Sequence, residues 1–318
     1  MPRSKLLDYR LLIKVSKLYY EQNLTQQDIS EKLILSRVKV SRLLNQAKEV
    51  GIVKISIIPQ LGVHIDLEEA LEKKFKLKEA IVVEVSDPLS QYSVSREVGV
   101  AAAEYFSRAV NDPCVVGISW GTTLQAMVDA IPHDDHRDSQ LVQLIGGLGK
   151  PESEAHATYI LRQLVAKTGA RLSIINVPGI LDKAEVRSAV LSDSHVRDVF
   201  NLFKNIDIAF VGIGVPKPDS VVMRDGTILT QEELDILLAN GAVGDICLRF
   251  FNGIGNSIQS EINERVIGIT LDEIKKIDRV VGVAGGPQKE KVIHAALMGK
   301  LINILVTDHI TAQKLIGN

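Results

Sequence analysis

The spacing of apolar positions changes character near residue 79. Before it, the period is helical. Leu7, Leu11, Val15 and Leu18 share one face of a helix predicted over 3–20, with Arg10, Lys14 and Lys17 outside. Thr25 followed by Asp28 resembles a capping box, and Ile29 and Leu33 make an i, i+4 apolar pair behind it. The pattern breaks at Ile34 and Leu35. Ser36 then opens a second helix with Val40, Leu43, Leu44 and Ala47 facing inward. Gly51 ends it, and the alternation Val53-Lys54-Ile55-Ser56-Ile57 predicts a short strand or wing. Pro59-Gln60-Leu61-Gly62 reads as a turn and a boundary. Residues 63–76 predict a connecting helix with Ile65, Leu67, Leu71 and Phe75 on its apolar side.

From Glu79 onward, short β-branched runs alternate with amphipathic segments. The runs are 80–85, 114–119, 140–146, 171–176, 208–214, 279–285 and 302–306; the segments between them include 94–110, 122–131 and 153–168. Runs apolar on both faces, separated by helices, predict a parallel sheet covered on both sides. The fold class is therefore α/β: a helix-turn-helix head of winged-helix-like type at 1–58, a linker at 59–78, and a doubly wound, Rossmann-like body at 79–318. Ligands in such bodies bind beyond the carboxyl ends of the strands.

Charge separates the same two parts. Residues 1–58 hold 11 Lys and Arg against 5 Asp and Glu, a net of +6; the other 260 hold 26 against 34, a net of −8. A basic head on an acidic body suits a polyanion-binding module joined to something else. On the outer face of the second head helix stand Arg37, Lys39, Ser41, Arg42 and Asn45. One α-helix fits a major groove, where Arg matches guanine and Asn matches adenine; Arg37 and Lys39 suit phosphates instead. Thr25, Gln26 and Ser36 at the two helix starts complete the expected DNA-facing set. A plain solvated helix face is the alternative.

The 318 residues, 46% hydrophobic and 24% charged, match a globular chain of about two domains. Cys114 and Cys247 lie in apolar runs and suit reduced, buried thiols. No apolar run approaches about 18 residues and no secretory leader opens the chain, so a cytoplasmic protein without a membrane span is expected.

Candidate chemistry clusters after the strands. Trp120-Gly121-Thr122-Thr123 follows the second run and opens a helix, an arrangement suited to an anion or to ordinary capping. Gly146-Gly147-Leu148-Gly149 follows the third. Asp245 and Arg249 flank another short strand, as functional groups or as a structural ion pair. Lys289 lies where a helix opens after 279–285, an unfavourable place for a cation unless an anion is near. The seven histidines show no metal-ligand spacing, and there is no GxSxG elbow or CxxC. Neither catalytic set, nor metal site, nor cofactor is expected. An enzyme using Lys289 or Lys150 as base or Schiff-base amine is the rival reading, for which no positioned carboxylate can be placed.

Taken together and in order, LYYEQNLTQQDIS, SRVKVSRLLNQAKEVGIV, GISWGTT, LIGGLG, DIAFVGIG, GAVGDICLRFF, VGVAGGPQKEKVIHAAL and INILVTDHITAQKL resemble the SorC-type, sugar-binding, deoxyribonucleoside-regulator-like bacterial transcription regulators. The resemblance implies a head that binds operator DNA and a body similar in fold to sugar-phosphate isomerases that senses a sugar, usually phosphorylated. It also implies a homo-oligomer, commonly a tetramer or dimer of dimers. Carried over by position, Gly121, Thr122 and Thr123 bind the phosphate, Gly147 and Gly149 line the sugar, Asp245 accepts its hydroxyls and Lys289 neutralises the phosphate. One departure stands out: Asn252 occupies a position where the family pattern carries Asp.

Overall fold

The structure is a computed structural model. It describes residues 3–56, 62–147, 151–218, 220, 223 and 228–317, and for 3–8 and 151–158 the helical backbone only. The expected turn at Pro59–Leu61, the residues Leu148, Gly149 and Lys150, and the side chain of Leu7 lie outside the described residues. The chain divides into two compact units, Met1–Pro59 and Gln60–Asn318.

The first unit holds α1 (Arg3–Ser16), a π-helical turn (Lys17–Glu21), α2 (Gln26–Leu33) and α3 (Arg37–Glu49). Leu12, Val15, Leu18, Ile29, Val40, Leu43, Leu44 and Ala47 close one apolar core between them. Full burial of each large side chain is worth about 1.5–3 kcal/mol, so this stripe is what holds three short helices together. The capping box forms: Thr25 Oγ1 accepts from Asp28 N–H while Asp28 accepts from Thr25 N–H. Ser36 Oγ accepts from Lys39 N–H at 3.2 Å and starts α3. Between the helices Ile34 turns the chain with φ 56°, in the left-handed region.

The wing strand does not form over 53–56, and Ile57 lies outside the described residues. Val53 N–H donates back to Ala47 O, finishing the end of α3. A lone strand leaves its backbone groups unpaired, and among the described residues nothing lies alongside to pair with it.

The second unit opens with α4 (Ile65–Phe75), the segment expected as a connector. It packs on the first strand and the last helix, with Leu71 fully buried. The remaining elements in order are β1 (Glu79–Val83), α5 (Gln91–Ala109), β2 (Val115–Ile118), α6 (Thr122–Ala130), β3 (Gln140–Gln143), α7 (Pro151–Thr168), β4 (Arg171–Ser173), α8 (Ala184–Ser192), α9 (Ser194–Leu202), β5 (Ile208–Val211), α10 (Gln231–Ala239), β6 (Gly244–Ile246), β7 (Arg249–Phe251), α11 (Glu261–Arg265), α12 (Leu271–Ile274), β8 (Arg279–Val283), α13 (Glu290–Met298), β9 (Ile304–Asp308) and α14 (His309–Gly317).

Seven strands form one sheet in the order β1-β9-β8-β5-β2-β3-β4, with every pairing parallel. These are the seven runs seen in the sequence. Two apolar cores cover the two faces: one centred on Val142, Val211 and Leu305, the other on Val116, Phe210 and Val306. From β2 the chain steps outward through β3 to β4, then returns to lay β5 on the other side of β2 before moving out through β8 and β9. The order therefore reverses between β2 and β5. That is the switch point where helices leave to opposite faces and a crevice opens beyond the strand ends.

Candidate ligand-binding cleft

A cleft of about 990 Å³ lies over that switch point. Its floor comes from the ends of β2 and β5. Ser119 N–H donates to Phe210 O at 3.1 Å, and Gly212 N–H donates to Ser119 Oγ at 3.3 Å, so the two strand ends are tied as they leave the sheet. Trp120 and Ser220 both line the cleft, and among the described residues Trp120 Nε1 and Ser220 Oγ are buried without a hydrogen-bond partner. Unpaired buried polar atoms are costly, and a ligand is one way to satisfy them.

Three helices point their N-termini at this space, because each follows directly from the carboxyl end of a parallel strand. Gly121 caps α6, with Thr122 exposed at its first position. Thr123 is buried, and its hydroxyl is engaged, donating to Ser95 Oγ at 3.3 Å. Gln91, at the start of α5, donates to Ser95 Oγ and to Gly285 O. Gly286 has φ +110°, and a Cβ there would stand 2.4 Å from Gln91 Oε1. Only glycine lets the loop after β8 pass this close. Asp308 fixes the same loop: its carboxylate accepts from Gly286 N–H at 2.7 Å and from Thr311 Oγ1 at 2.6 Å.

Lys289 sits as the N-cap of α13, not in its first turn, and reaches across to donate to Ile213 O at 2.8 Å. Asp245 faces it from β6. Burial pushes the Asp245 carboxyl up to about 6, against the Leu248 N–H and the Lys289 ammonium, which pull it down. Burial lowers Lys289 to about 8; Asp245 opposes that shift and Lys217 adds to it. Asp245 and Lys289 therefore share one cleft and feel each other's charge, a relation the linear sequence did not disclose. Displaced pKa values of this kind mark functional clefts.

Asp245 is carried on a hairpin absent from the sequence expectations. β6 and β7 pair antiparallel, Gly244 to Phe251 and Ile246 to Arg249, through a two-residue turn. Cys247 and Leu248 make that turn with φ 53° and 59°. Both angles are those of a type I′ turn, which normally selects Asn or Gly. Leu248 N–H donates to Asp245 Oδ2 at 3.2 Å, so the strained turn also holds the carboxylate.

Several expectations need correction. Asp245 and Arg249 do not form an ion pair. The buried Arg249 guanidinium donates to the carbonyls of Asn263, Val266, Gly268 and Ile269, clasping the chain between 263 and 269. Gly147 does not line the cleft. It bridges to Pro178, accepting from Gly179 N–H and donating to Val177 O, so the backbone of Gly147 is engaged by its own chain. Gly149 lies outside the described residues. Asn252 is not among the cleft-lining residues; its Oδ1 accepts from Ile254 N–H and Asn256 N–H and shapes a loop. Gly121, Thr122, Thr123, Asp245 and Lys289 do come together. Trp120, which opens the stretch expected to meet an anion, lines the cleft with them; Ser119, Lys217 and the Cys247-Leu248 turn join unanticipated, although Ser119 lies inside the GISWGTT stretch, whose strand-end position was the available signal.

In the first unit, Arg37, Lys39, Arg42 and Asn45 are exposed along α3, with Val38 among them, while Ser41 is half-buried. Thr25 and Ser36 are exposed, Gln26 half-buried, and Thr25 and Ser36 act as helix caps.

A parallel α/β unit with an acid–base pair at its switch point, preceded by a basic three-helix unit, defines a ligand-binding body with a separate head. The sugar-binding domain family model matches residues 60–317. The chain is 34% identical over 310 residues to the deoxyribonucleoside regulator of Bacillus subtilis (strain 168), covering 97% of this chain and 98% of that one. It is 33% identical to the sorbitol operon regulator of Klebsiella pneumoniae, covering 97% and 98%. The crystal structure of full-length SorC, the sorbitol operon regulator from Klebsiella pneumoniae, superposes with a TM-score of 0.73 at 31% identity, covering 97% of this chain and 99% of that one. The chain belongs to this SorC-type family of transcriptional regulators with a sugar-binding domain. These relatives are named as regulators, not enzymes. Among the described residues no helix is long and apolar enough to cross a membrane.

Proposed function

We propose that this protein is a sugar-responsive regulator of a carbohydrate-utilisation operon, working in the cytoplasm as a homo-oligomer, a tetramer or dimer of dimers. The observation that carries the reading is that the buried Asp245 and the half-buried Lys289 line one cleft together with the N-terminus of α6. A phosphorylated sugar matches it group by group. Backbone N–H groups at Gly121, Thr122 and Thr123 and the Thr122 hydroxyl receive the phosphate, with Lys289 supplying charge. Asp245 accepts sugar hydroxyls. Because the Thr123 hydroxyl is already engaged with Ser95, Thr123 acts through its backbone.

The α2-turn-α3 pair is the DNA-reading element. Arg42 and Asn45 face base edges; Arg37, Lys39, Ser36, Ser41, Thr25 and Gln26 set position on the phosphates. Regulation is linkage: the effector binds one arrangement of the oligomer better than another, and operator affinity shifts by the same coupling free energy.

The test is a thermal-shift screen of pentose and hexose phosphates, followed by gel shifts on the promoter region with any stabilising compound. Saturation near a hundredfold above Kd stabilises by about 2.7 kcal/mol. The expected result is one phosphorylated sugar that raises Tm and changes operator affinity, with Arg42→Ala weakening the gel shift. A panel with no effect on either quantity defeats the reading, as does steady turnover of a sugar phosphate.

A further inference from the structure

Outside the cleft lining, at the edge of the sheet, three potential metal ligands meet: His64, Glu84 and His309. They come from opposite ends of the second unit, which is why no spacing in the sequence revealed them. The sheet register brings them together. β1 and β9 are parallel neighbours with Val83 opposite Asp308, so Glu84 and His309 are the first residues past the two strand ends. Val63 bridges antiparallel to Val83, which brings His64 beside Glu84.

His64 Nε2 lies 2.6 Å from Glu84 Oε2, and His309 Nε2 lies 3.8 Å from Glu84 Oε1. The two imidazoles stack with centroids 5.3 Å apart and planes 5° from parallel. One ligand atom from each residue fits within a mutual distance of 4.8 Å. Zinc bonds to N and O ligands are about 2.0–2.2 Å, so ligand atoms in a tetrahedral shell stand about 3.4 Å apart. The two measured separations bracket that value. Both histidines are half-buried and Glu84 is exposed, so an ion has a path in. Two imidazoles and one carboxylate suit borderline divalent ions and leave a fourth position open.

We propose that His64, Glu84 and His309 form a binding site for a divalent transition ion of the zinc class, which clips the start of the second unit to the edge of its sheet. Val85 N–H donates to His309 Nδ1 at 3.4 Å, a long contact that leaves the ring proton on Nε2, facing Glu84. The ion takes the Nε2 lone pair. The proton moves to Nδ1, and the Val85 contact is given up. His64 binds through Nε2, the nitrogen that now meets Glu84, its proton likewise moving to Nδ1. Protons compete for all three ligands, so affinity falls on acidification. The clip has a route into the cleft: His309 follows Asp308 directly, and Asp308 holds Gly286 in the loop that carries Lys289.

The experiment uses the full, tag-free chain, stripped with a chelator, with no sugar or DNA present. Zn²⁺ is titrated by calorimetry and by thermal shift, and Co²⁺ by its visible absorption. The expected result is one equivalent bound per chain, a rise in Tm reversed by chelator, and a tetrahedral Co²⁺ spectrum. Glu84→Gln and His64→Gln each weaken binding by about tenfold or more. His309→Gln does the same; should that variant unfold, the other two decide. Absence of saturable one-equivalent binding overturns the proposal, and so does wild-type affinity in both Glu84→Gln and His64→Gln. Because effector and operator are absent, the outcome is separate from that of the sugar-sensing reading.

Discussion

Asp245 is packed directly onto the α-carbon of Gly214. A Cβ at position 214 would stand 2.0 Å from Asp245 Oδ1, and the two backbones exchange hydrogen bonds of 2.9 and 3.1 Å. The loop after β5 and the hairpin that follows α10 are thereby joined at the residue expected to bind the effector. Gly214 is needed for this close approach and not for any unusual backbone angle.

Gly214→Ala should therefore displace the Asp245 carboxylate. The expected cost is about 1–3 kcal/mol of stability, typical of overpacking, with loss of the effector's thermal shift. Urea unfolding and the sugar-phosphate screen measure the two effects. Unchanged stability with a normal effector response would show that the carboxylate is free to move.

The Asp245–Lys289 pair carries a pH signature. Asp245 is raised to about 6 in the fold from its ordinary 3.8. Its contribution is fully present below the unfolded value and is lost as pH rises through about 6. Lys289 is lowered to about 8 from 10.5, so its contribution is present above the unfolded value and lost as pH falls through about 8. Between these limits both are charged. Effector affinity should peak between pH about 6 and 8, weakening above as Lys289 loses its proton and below as Asp245 gains one. Calorimetry across that range checks it. In the unliganded protein, Asp245→Asn should gain stability relative to wild type as pH rises from about 4 to 6.

Ile34 turns the chain between α2 and α3 in the left-handed region and is 94% exposed. A β-branched residue there is strained by about 1–2 kcal/mol and gains no packing. Ile34→Gly should stabilise the first unit by up to about 1 kcal/mol, after the larger unfolded-state entropy of glycine is counted. Denaturant unfolding followed on that unit's helical signal is the measurement. A loss of stability would show that the exposed side chain has a role in holding the turn.

Arg249 is a structural residue. Arg249→Lys keeps a charge but cannot reach the four carbonyls that the guanidinium serves. Buried acceptors left unpaired cost about 1–3 kcal/mol each. The expected result is a Tm drop of several degrees or insoluble protein, with any folded fraction retaining its effector affinity. Selective loss of effector binding at unchanged Tm would move Arg249 into the site.

Much of the architecture is legible in local patterning. Periodicity locates α1 to α4 and all seven sheet strands, because a strand buried on both faces must be a continuous apolar run and an amphipathic helix must repeat near 3.6. The caps at Thr25 and Ser36 are local hydrogen bonds between residues three apart, and they form as their spacing predicts. The one failed strand, Val53–Ile57, has the right alternation, but over 53–56 it finds no neighbour to pair with among the described residues. Alternation states which face would be buried, not whether a partner exists.

Strand-end glycines and hydroxyls in the sequence single out Gly121, Thr122 and Thr123, and motif position singles out Asp245 and Lys289. By itself the chain determines which segments are strands and helices, where charge is concentrated, and that strand ends are the places to look, since these depend on residues a few positions apart. Only the tertiary structure decides that β2 and β5 lie side by side, that Asp245 faces Lys289 while Arg249 turns to four carbonyls, and that His64 reaches His309. Those relationships follow from the order and register in which the strands, parallel and antiparallel, are paired. Non-local backbone pairing and packing set that register, and no local spacing of residues encodes it.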